Sequence, residues 1–175
     1  MASLSPEVER LLAAAPSLPL TQEGLVRNSA SRLDSSSAES LFRQAPHAQA
    51  ALAGLLLRLG HWSESHDIAQ DVSSTEGSYW HAILHRMEPD PSNAGYWFRR
   101  VGRHAIFPKL LEQAREILAN YSSIHWKLKQ EWDPMLFVAW CEEASRKRGE
   151  TETAARAIQM AEWQLLFEWC AVPTE

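Results

Sequence analysis

The sequence predicts an all-α fold, an array of about seven or eight helices arranged as antiparallel hairpins. Several stretches rich in Ala and Leu carry apolar residues at helical spacing. Proline directly follows a helix-capping residue at three places: Ser5-Pro6, Asp90-Pro91 and Asp133-Pro134. Val and Ile are sparse, and no run alternates between apolar and polar residues as a half-buried strand would. The short loops between the predicted helices are typical of antiparallel neighbours.

The chain is predicted to divide into an N-terminal helix with a connector, residues 1–35, and a single all-α domain, residues 36–175. The helix that starts after Ser5 should end before Pro16, because proline lacks the backbone N–H that a helix interior needs. Residues 17–34 are polar and only weakly periodic, which is typical of a connector.

Within the domain, capping residues, glycines and prolines mark the helix boundaries. The predicted helices span, in order, residues 37–44, 48–59, 63–72, 77–88, 91–101, 108–120, 122–131, 135–147 and 151–170. Glycines supply the stops after three of them: Gly60, Gly102 and Gly149. The last helix is apolar on nearly all sides, which favours a place at the centre of the bundle over a dimer seam. The sequence is compatible with either oligomeric state, a monomer or a homodimer.

The composition is that of an ordinary globular protein with an acidic charge balance. The 175 residues carry a net charge of −5 with a pI near 5.8, which gives no electrostatic case for binding nucleic acid or an anionic membrane. No apolar stretch approaches the roughly 18 residues that a bilayer-spanning helix needs. The two cysteines, Cys141 and Cys170, form no disulfide framework, and the N-terminus lacks the basic start of a secretory signal. These features predict a cytoplasmic protein.

An internal repeat is visible in three segments that each contain a helix end, a polar turn and a new helix start. The segments are LRLGHWSESHDIA, HRMEPDPSNAGYWF and SRKRGETETAARA. This pattern resembles tetratricopeptide and Sel1-like repeats over residues 50–102, and residues 93–98 are similar to the second helix of a Sel1-like unit. Residues 77–107 are also similar to a segment found in uncharacterised bacterial and fungal proteins. The resemblance implies a helical-repeat domain that binds a protein or a ligand.

One helix carries a stripe of possible metal ligands. His81, His85 and Glu88 stand at positions i, i+4 and i+7 and therefore share one side of the helix. Two histidines one turn apart can bind one metal ion, and His66 on the preceding helix can supply a third ligand. The set predicts a zinc or nickel site made by His66, His81, His85 and Glu88. Two further side chains are candidate donors: Asp67 and His104. Alternatively, these histidines lie at the edge of the apolar face and only form hydrogen bonds with their neighbours.

Aromatic and basic side chains follow the histidine stripe in the sequence. Tyr96, Trp97 and Arg99 are predicted to form a ligand-binding surface together with the histidines, because arginine pairs with carboxylates and phosphates and aromatic rings stack on planar groups. A small anionic ligand is therefore one expected partner, and a protein is the other. Alternatively, the arginines of this region pair with acidic neighbours or stack on tryptophan inside the bundle: Arg86, Arg99, Arg100 and Arg103.

Two functions of different classes follow from these patterns. The first is a non-enzymatic protein- or ligand-binding scaffold, with a ligand face formed by residues 61–70 and 77–107. The second is a metal-binding protein or metal-dependent enzyme that uses the histidine cluster. The sequence contains no phosphate-binding glycine loop, no GxSxG and no HExxH motif that would point to another chemistry. Metal analysis of the purified protein would distinguish the two functions.

Overall fold

The computed structural model describes residues 4–28 and 33–172, and this part of the chain contains nine α-helices, one short 3-10 helix and no β-strand. In chain order they are α1 (Pro6–Ala13), the 3-10 helix (Gln22–Gly24), α2 (Ser37–Leu41), α3 (Ala48–Arg58), α4 (Trp62–Asp71), α5 (Thr75–Met87), α6 (Pro91–Val101), α7 (Phe107–Leu118), α8 (Pro134–Lys147) and α9 (Gly149–Ala171). The predicted all-α class is confirmed. The antiparallel order of neighbouring helices stays a prediction.

The core is built around α3, which combines small and large apolar residues. Every residue from Ala50 to Leu57 is buried, and the helix contacts α2, α4, α5 and α9. Small residues permit close approach: the indole N–H of Trp163 on α9 donates to the carbonyl of Gly54 at 2.9 Å. α3 thereby fixes the positions of α4, α5 and α9 relative to one another.

Side-chain caps hold the starts of α1, α6 and α8, as the sequence predicts. The hydroxyl of Ser5 and the carboxylates of Asp90 and Asp133 each accept a backbone N–H from the first turn of the helix that follows. At α6, Asp90 Oδ1 lies 3.0 Å from the backbone nitrogen of Asn93. This cap sets where α6 begins and therefore which of its residues lie beside α5.

Asp90→Ala is expected to lower the free energy of unfolding by about 1 kcal/mol, because the first turn of α6 loses its cap. Asp90→Asn should cost clearly less, since the asparagine amide oxygen can accept the same hydrogen bond. Denaturant unfolding of the three proteins measures both changes. Equal losses for the two variants would show that the charge of Asp90, and not its capping bond, stabilises the helix.

The predicted helix over residues 122–131 is wrong. Residues 121–133 form turns and irregular backbone between α7 and α8. Side chains anchor this segment in place of helical hydrogen bonds: Trp126 stacks on Trp140 of α8 with ring centroids 4.8 Å apart, and Trp132 is buried near its end. Tertiary packing on α8 has overridden the local preference for helix.

The N-terminal part packs on the same core as the later helices. Leu20 is buried, and Gln159 Nε2 on α9 donates to the carbonyl of Pro19 at 2.7 Å. Residues 29–32 of the predicted connector and residues 173–175 of the predicted domain lie outside the described residues. The domain boundary within the connector stays a prediction.

α9 is the longest helix, with 23 residues. It contacts α3, α7 and α8, so much of its apolar surface is covered within the chain. Two polar residues, Gln159 and Glu162, are buried on the same helix. Among the described helices, α9 included, none combines the length and the apolar character needed to cross a bilayer.

Candidate functional site

Two neighbouring helices bring three histidines together. α4 carries His66, and α5 carries His81 and His85 one helical turn apart. α4 and α5 pack against each other, and α5 also packs against α6. Because every residue of α5 from Glu76 to Met87 is buried, core packing fixes the backbone that carries two of the three imidazoles.

The three imidazole rings are in mutual contact. His81 Nε2 lies 2.9 Å from His66 Nε2, and one ring nitrogen of each histidine lies within 4.8 Å of the others. The rings of His81 and His85 stack with centroids 4.8 Å apart, whereas His66 meets both of them edge-on. The structure thus brings together the three histidines that the sequence selected.

The cluster is mostly buried, and its most exposed member is His66. His81 is 2% exposed and His85 is 7% exposed. Burial, followed by the neighbouring imidazoles of His66 and His85, lowers the pKa of His81 to about 3. Burial and then His85 also lower the pKa of His66, against the opposing carboxylates of Asp67 and Glu88. His66 and His81 are therefore neutral at pH 7, the form in which an imidazole binds a metal ion.

Carboxylates lie near the Nδ1 atoms of two histidines, His85 and His66. Glu88 Oε2 is 2.9 Å from His85 Nδ1, and Asp67 Oδ1 is 3.8 Å from His66 Nδ1. A carboxylate that accepts the Nδ1 proton fixes the ring and leaves Nε2 free for a metal. Glu88, predicted as a ligand, therefore lies where it orients His85.

His81 has a ring nitrogen without a partner. Its Nδ1 is buried and forms no hydrogen bond with any described residue. Its Nε2 faces His66 Nε2, and only one of these two nitrogens can donate while both rings are neutral. A buried polar atom left unpaired costs about 1–3 kcal/mol. Such atoms are rare in native proteins and mark strained or functional positions.

Aromatic rings flank the cluster on two helices. Trp97 of α6 stacks on His81 with centroids 4.0 Å apart, and Trp62 at the start of α4 stacks on His66 at 5.0 Å. Next to them, Tyr96 is 48% exposed. The two indoles shield the imidazoles from water, and Tyr96 offers an accessible aromatic surface beside them.

Three arginines of this region reach different surroundings. Arg86 points into the core, where it pairs with a carboxylate of α9. Arg99 lies on the side of α6 that meets Met135 of α8, and Arg100 lies over the Trp97 ring, 5.2 Å from its centroid. Consecutive helix positions are separated by about 100° around the axis, so neighbours in sequence reach different surroundings. Of these three, Arg100 is the one that contacts an aromatic neighbour of the histidines.

His104, a further candidate donor, belongs to a different group. Its Nε2 lies 3.7 Å from Glu76 Oε1. The same carboxylate accepts the indole N–H of Trp169 at 3.2 Å and lies 3.4 Å from His47 Nδ1. This group joins the start of α5 to the end of α9 and stabilises the bundle.

Sequence reasoning missed two residues of the site, Trp62 and Asn93. Trp62 precedes His66 by four residues, so the helical period could have identified it as a neighbour. Asn93 Nδ2 lies 3.5 Å from His85 Nδ1. No local pattern identifies Asn93, because its position depends on how α6 packs against α5.

The donor set fits a divalent ion of the zinc class. Two nitrogens bound at 2.0–2.1 Å to a tetrahedral ion lie about 3.3 Å apart, and the Nε2 atoms of His66 and His81 are 2.9 Å apart. A separation larger by about 0.4 Å would therefore admit the ion. The described residues offer one other group of three possible ligands, His85, Glu88 and Asp90, but Asp90 already caps α6. Three imidazoles leave the fourth position of a tetrahedral ion open.

Comparison of the chain with known protein families, curated proteins and solved structures found no match. The resemblance of residues 50–102 to tetratricopeptide and Sel1-like repeats therefore stays a prediction. The functional assignment depends on the geometry of the site.

Proposed function

We propose that this chain is a metal-binding protein in which His66, His81 and His85 hold one divalent transition-metal ion, such as zinc or nickel. The observation that carries the proposal is the contact among three imidazoles, with ring nitrogens within 4.8 Å of one another. Histidines in a core are ordinarily satisfied by separate hydrogen-bond partners. Neutral imidazoles that converge present lone pairs toward one another, and a metal ion can accept a lone pair from each ring.

The surrounding residues support this assignment. Glu88 accepts a hydrogen bond from His85 Nδ1–H and holds the ring in place, as carboxylates do behind metal-bound histidines. Trp62 and Trp97 stack on two of the imidazoles and limit the access of water. A bound ion of this class supplies Lewis acidity at its open fourth position.

Zinc or nickel is expected to raise the melting temperature of the protein and to bind at one ion per chain. At an ion concentration 100 times the Kd, the stabilisation should be about 2.7 kcal/mol. Differential scanning fluorimetry measures the shift, and equilibrium dialysis with elemental analysis measures the stoichiometry. Nickel should also quench tryptophan fluorescence, since Trp62 and Trp97 stack directly on the imidazoles.

His81→Ala should abolish the metal-induced shift, whereas His125→Ala, which removes an exposed histidine outside the cluster, should leave it unchanged. Glu88→Gln should weaken the affinity by about 10- to 100-fold, as expected for a residue that orients a ligand. Equal losses in the His81 and His125 variants, or no saturable binding by the unmodified chain, would contradict the proposal.

The metal effect should extend below neutral pH. Since the pKa values of His66 and His81 lie below the ordinary imidazole value of 6.5, protons compete with the metal at these two residues only in more acidic solution. Proton competition at His66 and His81 should therefore leave a metal-induced rise in melting temperature at pH 6.5. It should decline at lower pH, as His66 and then His81 begin to take up protons.

A non-enzymatic binding scaffold is the second candidate function. The specific observation that favours it is the exposure of Tyr96, at 48%, beside Trp97. A protein or a small anionic ligand would then contact this face of α6, and purified protein would contain no stoichiometric metal. For either function we propose a cytoplasmic monomer or homodimer, and the free, buried thiols of Cys141 and Cys170 support that location.

A further inference from the structure

A cavity of about 350 Å³ lies beside the turn between α6 and α7, apart from the histidine cluster. It is bounded by the start of α7 and by the segment that leads into α8. Apolar side chains form most of its wall: Phe107, Pro108, Leu111, Trp132 and Pro134. Its volume lies in the range of small-molecule sites, about 300–1,000 Å³, and its two aromatic side chains favour a planar apolar ligand.

One residue of the cavity wall carries an unpaired hydrogen-bond donor. Trp132 is 6% exposed, and its indole N–H is buried without a partner among the described residues. The other polar aromatic residue of the wall is His104, whose Nδ1 accepts the backbone N–H of Ile106 at 3.3 Å. Its Nε2 is buried without a hydrogen bond to any described residue and lies 3.7 Å from Glu76 Oε1. Among the described residues, the Trp132 N–H thus has no acceptor, and a ligand in the cavity could supply one.

Two further features favour a negative charge on that acceptor. α7 begins with no side-chain cap, so the partial positive charge of its N-terminus is not compensated by a capping residue. At the rim, Arg103 Nη2 lies 3.5 Å from Glu131 Oε2, with the two side chains 90% and 79% exposed. An ion pair this exposed contributes little to stability, and its arginine can exchange partners readily.

We propose that this cavity binds a small aromatic carboxylate. The ring of the ligand packs among Phe107, Leu111 and Trp132. Its carboxylate accepts the Trp132 N–H and pairs with Arg103 in place of Glu131. The proposal concerns a separate site and does not depend on metal binding by the histidines.

Three probes of similar size and different charge test the ligand class: phenylacetate, phenylacetamide and 2-phenylethylamine. Each is titrated calorimetrically into the full chain at pH 7 and low salt. Phenylacetate should bind most tightly and at one molecule per chain, phenylacetamide should bind less tightly, and the cationic amine should bind most weakly. Equal affinities, a preference for the amine through Glu131, or no saturable binding of phenylacetate would each overturn the proposal.

Matched tryptophan variants test the donor. Trp132→Phe keeps an aromatic ring and removes the N–H, so phenylacetate affinity should fall about fivefold, the effect of one hydrogen bond. The melting temperature of the ligand-free protein should fall only through the smaller volume of phenylalanine, because the lost donor had no partner. Trp126→Phe removes an N–H that already donates to Glu143, outside the cavity, and should leave the affinity unchanged. Similar losses in both variants would overturn the assignment of Trp132.

Arg103→Gln tests the charge contact at the rim. Phenylacetate affinity should fall to the level of phenylacetamide, while the affinity for the amide stays the same. Gln130→Trp places a large ring at an exposed position of the cavity lining and should block all three probes. Unchanged binding in either variant would place the ligand elsewhere on the protein.

Discussion

Replacing Glu162 by alanine is expected to lower the free energy of unfolding by about 3 to 5 kcal/mol. Glu162 and Arg86 form an ion pair at 2.5 Å in which both side chains are fully buried, and the Tyr79 hydroxyl donates to the other carboxylate oxygen at 2.9 Å. Burial alone would lower the pKa of Arg86, but the nearby carboxylate of Glu162 raises it above the ordinary value. Without Glu162 the guanidinium would stay charged in the core with no counter-charge.

Denaturant unfolding of Glu162→Ala and of Glu131→Ala compares the loss of a buried carboxylate with the loss of an exposed one. Glu131 pairs with Arg103 at the surface, and its loss should cost less than about 1 kcal/mol. The double variant Arg86→Met with Glu162→Leu should recover much of the loss, because an apolar pair leaves no buried charge. Equal costs for the two single variants would show that burial does not determine the strength of the Glu162 contact.

Trp80→Ala is expected to lower the free energy of unfolding by about 3 to 5 kcal/mol, as large aromatic deletions in cores do. Trp80 has no exposed surface, and its ring lies 6.4 Å from that of Trp163. A β-carbon added at Gly54 would lie 2.5 Å from the Trp80 ring. The indole therefore fills the space that the glycine leaves open on α3.

The pairing of Trp80 with Gly54 can be measured by a double-mutant cycle. Gly54→Ala alone should cost about 1 to 3 kcal/mol, because the added methyl group pushes against the indole. In the Trp80→Ala background the same change should cost much less or should stabilise, since the methyl group enters a cavity and alanine favours helix. Strictly additive effects in urea unfolding would contradict this packing.

The features that the sequence predicted well depend on short separations along the chain. The cap-and-proline starts of α1, α6 and α8 involve only the first turn of each helix, so local chemistry determines them. His81 and His85 are one helical turn apart, and that spacing alone places them side by side. His66 could be added because consecutive helices joined by a short loop usually pack together.

The features that the sequence did not predict depend on distant contacts. Residues 122–131 resemble a helix locally, yet Trp126 is held by Trp140 of α8. The sequence around Arg86 does not distinguish it from the other arginines of the region. Its partner Glu162 lies 76 positions away. The cavity beside Trp132 likewise arises where the α6–α7 turn meets a segment that follows α7. Packing across such distances leaves no periodic pattern to read.

His85 and Arg86 are adjacent on α5, so the proposed metal site lies next to the buried ion pair of the core. Arg86 pairs with Glu162 in the centre of the bundle, and this buried contact holds α5 in place. α4, which carries His66, buries only Ser65 and Ala69, so fewer core contacts hold it in place. If the histidines bind an ion as we propose, substitutions that weaken the packing of α4 against α3 are expected to change the affinity without altering a ligand.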